Sequence, residues 1–283
     1  MVSVGTSFLD SLVSDIGGIE DAVTAAYPDW TLRRAFTSRA IIGRLQAGTG
    51  LRVDDVDEAF ERARKDGVKN LIVQPTHLLY GAEYEELVRA ARMHRKRFAA
   101  LLLGEPLLGK TDSDAGVSGR ACAVIAKAVV EAACRDGGYA SHTAAAEAGV
   151  ALVFLGHGVS HREKRADFYG ALQAQLRAPG YENVFVGTIR GEPGETSCGA
   201  VIGAVQRAGY TKVILRPLML AAGYHAHNDL AGTGGGSWLR MFQAAGFAGV
   251  DVQISGLGSL PAVQQLYVAQ IAGLMAGAGL LPF

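Results

Sequence analysis

The chain carries one strand-and-turn pattern twice, and this repetition narrows the possible folds more than any other feature. Short apolar runs fall at Val2–Val4, Leu32–Phe36, Asn70–Val73 and Phe98–Leu103. They return at Ala151–Leu155, Asn183–Val186, Lys212–Leu215 and Val250–Ile254. The turns after corresponding runs match in order. Gly5-Thr6-Ser7 follows the first run and Gly156-His157-Gly158 the fifth; Thr37 lies 32 positions beyond Gly5, and Thr188 lies 32 beyond Gly156. Gln74-Pro75 follows the third run and Arg216-Pro217 the seventh. In both copies a glycine (Gly81, Gly223) stands six residues after the proline and a polar residue (Glu83, His225) eight after it. Backbone geometry alone accounts for recurring Gly and Pro at turns. It does not account for chemically capable side chains at the same turns.

Between the apolar runs lie stretches with helical periodicity: Val53–Lys65, with Val56, Phe60 and Ala63 on one face, then Glu83–Phe98, Arg120–Ala133, Ala166–Leu176 and Leu239–Ala245. Strands alternating with helices predict βαβ units and a parallel sheet. The expected fold is therefore α/β: two similar Rossmann-like lobes, each a four-stranded parallel sheet flanked by helices. Asp136–His142 breaks the helical pattern and reads as a loop, with His142 solvated. The boundary is placed near residue 145, giving an N-terminal lobe at 1–145 that ends in an Ala-rich linker helix, and a C-terminal lobe at 146–283.

Loops beyond the carboxyl ends of parallel strands form the ligand crevice of such folds. His157, Glu83, His225 and Arg190 all fall there, so two facing lobes would bring them to one cleft. His157 is flanked by glycines, which leave an imidazole exposed at a strand tip instead of packed in a core. His225 and His227 sit in one loop, where Asn228 or Asp229 equally suits a helix cap. Glu83 opens a helix, a position where a carboxylate also offsets the helix dipole. His161 reads as helix surface. Two histidines and a carboxylate suit a divalent first-row metal, cobalt, nickel, iron or zinc, and equally suit proton transfer. Gly232–Ser237 is glycine-rich but lacks a P-loop lysine, so no nucleotide is expected. Arg33, Arg34 and Arg39 surround Thr37-Ser38 and are candidates for attracting carboxylates.

Charge then limits the partners. Lys plus Arg and Asp plus Glu both number 27, so no basic excess exists to bind nucleic acid. An anionic small molecule must be met by local arginine or lysine. Three cysteines without a paired motif give no disulfide framework. The N-terminus has no signal-peptide pattern and no apolar run reaches membrane-spanning length, so the expected location is the cytoplasm.

Taken in order, Gly5-Thr-Ser7, Arg34-Ala-Phe-Thr-Ser38, Val73-Gln-Pro-Thr-His77, Gly81-Ala-Glu-Tyr84, Gly156-His-Gly158, Pro217-Leu-Met-Leu220, His225-Ala226, Asn228-Asp229, Ser237-Trp238 and Ser255-Gly-Leu-Gly258 resemble the anaerobic sirohydrochlorin cobalt chelatases of cobalamin synthesis. The resemblance covers nearly the whole chain. It implies an ATP-independent class II chelatase, two α/β lobes with sirohydrochlorin between them, and cobalt(II) as the metal substrate. It maps the active site onto His157 and His225, as paired metal-binding histidines, and onto Glu83 as the carboxylate. Iron(II) or nickel(II) insertion into a related tetrapyrrole is the alternative within the class; a non-catalytic tetrapyrrole or metal carrier is the alternative outside it. Two positions depart from the family. Arg190 stands where a carboxylate is usual, with Glu192 as the nearest acid, and Tyr224 stands where Asp is usual. Expected partners are the tetrapyrrole and, in a homo-oligomer, further copies of the chain, with neither nucleic acid nor membrane.

Overall fold

The computed structural model describes residues 1–108, 117–158, 173, 175–176, 180–190 and 194–280. His161, Glu192 and most of the helix expected at 166–176 lie outside the described residues. All eight anticipated strands form. In the second lobe β6 (Val150–Gly156), β7 (Val184–Thr188), β8 (Lys212–Pro217) and β9 (Gly249–Val252) make one parallel sheet in the order β7-β6-β8-β9. β6 is central and every one of its residues is buried, which is why it reads as a continuous apolar run without alternation.

The first lobe repeats this order with shorter strands. β1 (Val2–Ser3) pairs with β2 (Ala35–Phe36), and β4 (Asn70–Val73) pairs with β5 (Ala100–Leu103). The two halves of the sheet join through the Val2–Pro75 bridge and the bond from the Val2 amide to the Gln74 carbonyl at 2.9 Å. The arrangement β2-β1-β4-β5 is thus the first-lobe counterpart of β7-β6-β8-β9. A further edge strand, β3 (Asp54–Asp55), lies beside β2. Its two carboxylates hid it from the apolar pattern.

Helices fill the connections. α1 occupies residues 9–26 and is wound as a π-helix at Leu12–Gly17. α2 (Arg39–Thr49) is capped by Ser38 and closed by Gly50 at φ 76°. α3 (Val56–Lys65) starts with a full capping box between Asp55 and Glu58. α4 (Ala82–His94), α5 (Val117–Asp136), α6 (His142–Glu147), α7 (Cys198–Arg207), α8 (Trp238–Ala244) and α9 (Pro261–Gly277) complete the set. His142 departs from its expected place in a solvated loop: it begins α6, capped by Ser141, with its ring edge-on to Tyr181 at 4.5 Å. Among the described residues no helix is long and apolar enough to cross a membrane.

The largest core cluster is shared by both lobes. Ile19 and Val23 of α1, Ile125 and Val129 of α5, Leu152 and Phe154 of β6, and Tyr267 and Ile271 of α9 belong to it. Each such side chain contributes about 1.5–3 kcal/mol on burial. Polar contacts then set the register. The Tyr267 hydroxyl, from the second lobe's last helix, donates to Thr76 O of the first at 2.8 Å, and Tyr27 donates to Val268 O at 2.8 Å. Arg216 on β8, fully buried, binds Asp136 at the end of α5 at 2.7 Å and Gln253 at 2.9 Å. Asp15, in the π-helical turn of α1, accepts the Ala222 amide at 2.8 Å and the Gly256 amide at 3.2 Å. A Cβ on Gly258 would overlap the Asp15 carbonyl, so this seam tolerates only glycine there.

Candidate functional site

Three β6–β8 features place the two histidines. The Leu218 amide bonds the Leu155 carbonyl at 2.7 Å, so the segment leaving β8 runs beside the end of β6. Gly158 takes φ 81°, a left-handed value that frees the turn just after His157. A tight turn at Ala221–Gly223 then leads into the short π-helix Ala226–Leu230, with His225 as its cap residue. The imidazoles of His157 and His225 meet with centroids 4.9 Å apart and planes at 88°.

The two rings have different neighbours. His225 Nδ1 lies 2.6 Å from Asp229 Oδ2, one helical turn on. A carboxylate there takes the Nδ1 proton and leaves the Nε2 lone pair free, the arrangement of a metal-ligating histidine with its orienting partner. By sequence either Asn228 or Asp229 suits a cap; the i,i+4 spacing of Asp229 from His225 is the signal for this pairing. His157 has no such partner. Protein crowding around the ring desolvates it, and the charges of His225 and Arg190 add to the effect, against Asp229; its pKa is pushed down to about 4. The residue nonetheless keeps access to solvent at the end of β6. At neutral pH the ring is an unprotonated donor of a lone pair.

The other expected residues fall in different surroundings. Glu83 is exposed in the first turn of α4, beyond the carboxyl end of β4. Its charge reaches His77, the buried residue of the same connection, whose pKa burial pushes down to about 4 against the pull of Glu83. Both His77 ring nitrogens lack a partner among the described residues. No group of three His, Cys, Asp or Glu side chains converges to hold a metal ion among the described residues, so the imidazole pair and Glu83 are not a preformed three-ligand site. His227 turns away from the pair and stacks flat on Phe8 of the first lobe, at 3.9 Å and 1°. Arg190 is exposed at the end of β7, its amide bonded to the His157 carbonyl at 3.3 Å.

Two weaker sequence signals have structural outcomes. Arg33, Arg34 and Arg39 are engaged by the protein's own carboxylates, with Asp66 at 2.7 Å, with Glu20, and with Asp55 at 2.9 Å respectively; they are not free to attract a ligand. The Gly232–Ser237 segment serves as a helix lead-in, Ser237 accepting the Arg240 amide and donating to Gly232 O at 2.6 Å. A cavity of about 430 Å³ lies elsewhere in the first lobe, lined by Val2, Tyr27, Trp30, Phe60 and Ile271. None of the paired imidazoles borders it. Chemistry, not cavity size, locates the site.

A duplicated parallel α/β fold with two imidazoles meeting beyond the strand ends of its second lobe defines the class: a two-lobed protein of the chelatase type. The sequence matches the family described as Cobalt chelatase (CbiK) over residues 1–276. The chain belongs to that family. It is 32% identical over 271 residues to the sirohydrochlorin cobaltochelatase of Salmonella typhimurium, covering 96% of this chain and 93% of that protein. It is 29% identical over 235 residues to the sirohydrochlorin cobaltochelatase CbiKC of Nitratidesulfovibrio vulgaris, covering 82% and 75%. Among solved structures, SirB from Bacillus subtilis with Fe3+ superposes with a TM-score of 0.58 at 17% identity, over 98% of this chain and 95% of that one. The sirohydrochlorin chelatase SirB from Bacillus subtilis subspecies spizizenii in complex with cobalt gives 0.57 at 14%, over 98% and 94%. At these identities the superpositions speak for the fold.

Proposed function

We propose that the protein inserts cobalt(II) into sirohydrochlorin without a nucleotide, using His157 and His225 as the metal-delivering pair and Glu83 as the carboxylate of the facing lobe. The observation that carries this is the 4.9 Å approach of the two rings in a chain of the cobalt chelatase family. Two imidazoles are borderline donors suited to cobalt(II), and also to iron(II) or nickel(II). Insertion displaces two pyrrole N–H protons, and a ring nitrogen lone pair beside the macrocycle is the group that receives one in the transfer step. Asp229 orients His225 by holding its Nδ1 proton. Support for Glu83 is its equivalence to His225, both being eight residues beyond a proline, Pro75 just after β4 and Pro217 at the end of β8.

The test follows metal insertion by absorption, using purified protein, sirohydrochlorin and each of Co2+, Fe2+ and Ni2+ in turn. His157→Ala with His225→Ala is expected to lower the cobalt rate by at least about a hundredfold, the scale of a lost proton-transfer group, with the melting curve preserved. A double variant as fast as the parent chain ends the proposal. Tight tetrapyrrole binding by the parent without spectral conversion would instead identify a carrier.

A further inference from the structure

Two arginines stand near the imidazole pair, Arg190 with its charge felt by His157 and Arg44 one ring further out, over Tyr224. Arg190 is tied to His157 through its backbone, and its Cβ lies 3.2 Å from where a side chain on Gly158 would begin. Arg44 comes from α2 of the opposite lobe, with its guanidinium carbon 5.9 Å from the ring centroid of Tyr224. Tyr224, 56% exposed, is in turn edge-on to His225 at 5.7 Å. Both arginines are exposed. Unlike Arg33, Arg34 and Arg39, neither forms an ion pair with a carboxylate among the described residues. Among the described residues, the carboxylate in contact with the pair, Asp229, is engaged by His225.

We propose that Arg190, beside His157, and Arg44, over Tyr224 on the His225 side, anchor the peripheral carboxylates of the bound macrocycle, so that the site selects tetrapyrroles with acidic groups all round the rim. This rests on the reading of the cleft as a tetrapyrrole site. A macrocycle held at the imidazole pair directs its rim substituents outward, toward the turn that carries Arg190 and toward Tyr224 with Arg44 over it. Guanidinium and carboxylate match in bidentate geometry, and the pairing is stronger than a neutral hydrogen bond. The chain's net charge is zero, so attraction for a polyanion comes from these local charges and not from the molecule's overall field. A porphyrin with acids on one edge only meets one anchor at a time.

The test is a metal-free fluorescence titration of the full chain with uroporphyrin, which has eight rim carboxylates, and with deuteroporphyrin, which has two on one edge. The parent chain is expected to prefer the eight-acid ring by about tenfold or more, with a preference that shrinks as salt is raised. R190Q and R44Q should each lose about tenfold in affinity for uroporphyrin and much less for deuteroporphyrin, and R190K should recover part of the loss. Equal affinity of the parent for both rings, or unchanged uroporphyrin binding in both variants, overturns the anchors while leaving the chelatase reading in place. An R44Q chain that melts earlier but binds normally assigns Arg44 to lobe contact and removes it from the proposal. A parent chain that binds neither ring overturns the chelatase reading, and the anchors with it.

Discussion

His225 and His157 are identical side chains with different controls. Asp229 governs the first, through a 2.6 Å contact. Asp229→Asn replaces an acceptor of the Nδ1 proton with a weaker one, and a 10- to 100-fold loss of Co2+ affinity is expected, read by titration of the cobalt absorption bands. The fold should survive, because Asp229 is part exposed. His77 invites a different measurement. Its folded pKa is about 4 against an ordinary 6.5, so the unfolded chain takes up this proton first as pH falls. The neutral ring therefore favours folding above about pH 6.5, and that advantage is lost as pH drops through 4. Denaturant midpoints measured from pH 7 to 4 should fall with decreasing pH. His77→Phe should flatten the slope by up to one proton, about 1.4 kcal/mol per pH unit. An unchanged slope would show that His77 does not stay buried and neutral.

Among elements, α1 shows how a local irregularity serves the whole. A π-helical turn accommodates one extra residue, and here the turn holds Asp15, whose carboxylate receives the Ala222 and Gly256 amides. Burial pushes the Asp15 pKa up, while these bonds and Ser14 pull it down; the burial effect dominates. Asp15→Ala leaves two buried amides unpaired at the seam, and a loss of about 2–4 kcal/mol is expected from chemical denaturation. Helix α3 offers a milder case. Removing its capping box with Asp55→Ala should cost about 1 kcal/mol, since the rest of the helix remains packed through Phe60 and Ala63. The same logic explains which helices the sequence concealed. Periodicity found α3, α4, α5 and α8. It missed α1, whose π turn breaks the 3.6-residue repeat, and α9, which contains no charged residue and is apolar on several faces because it lies between α1, α5 and the first lobe. It also missed α2 and α7, although Ser38 and Ser197 announced their N-termini.

At the scale of the molecule, the shared core makes the lobes one thermodynamic unit. The chain has two tryptophans: Trp30 packs against the shared core near α1, and Trp238 is buried in the outer core of the second lobe. Denaturation followed by fluorescence in Trp30→Phe and in Trp238→Phe should therefore give coincident midpoints, each variant reporting from one tryptophan. Two separated transitions would mean that the lobes unfold independently and that α5, α9 and Asp15 contribute little across the seam.

The amino-acid order by itself determined the duplication, the eight parallel strands and the placement of His157, His225 and Glu83 just past strand ends. These rest on local rules: apolar runs make buried strands, and glycine and proline mark the turns that follow. Only the tertiary structure decided which of those residues meet. It brought His157 to His225 across 68 positions of chain, left Glu83 exposed at the start of α4, and turned His227 against Phe8. It also engaged the three arginines near Thr37 with the protein's own carboxylates, and left Arg190 next to His157 and Arg44 over Tyr224. The bond from the Gly256 amide to Asp15 spans 241 residues. No local pattern specifies such a partner, because its identity depends on how two lobes pack, and packing is a property of the whole surface that each lobe buries.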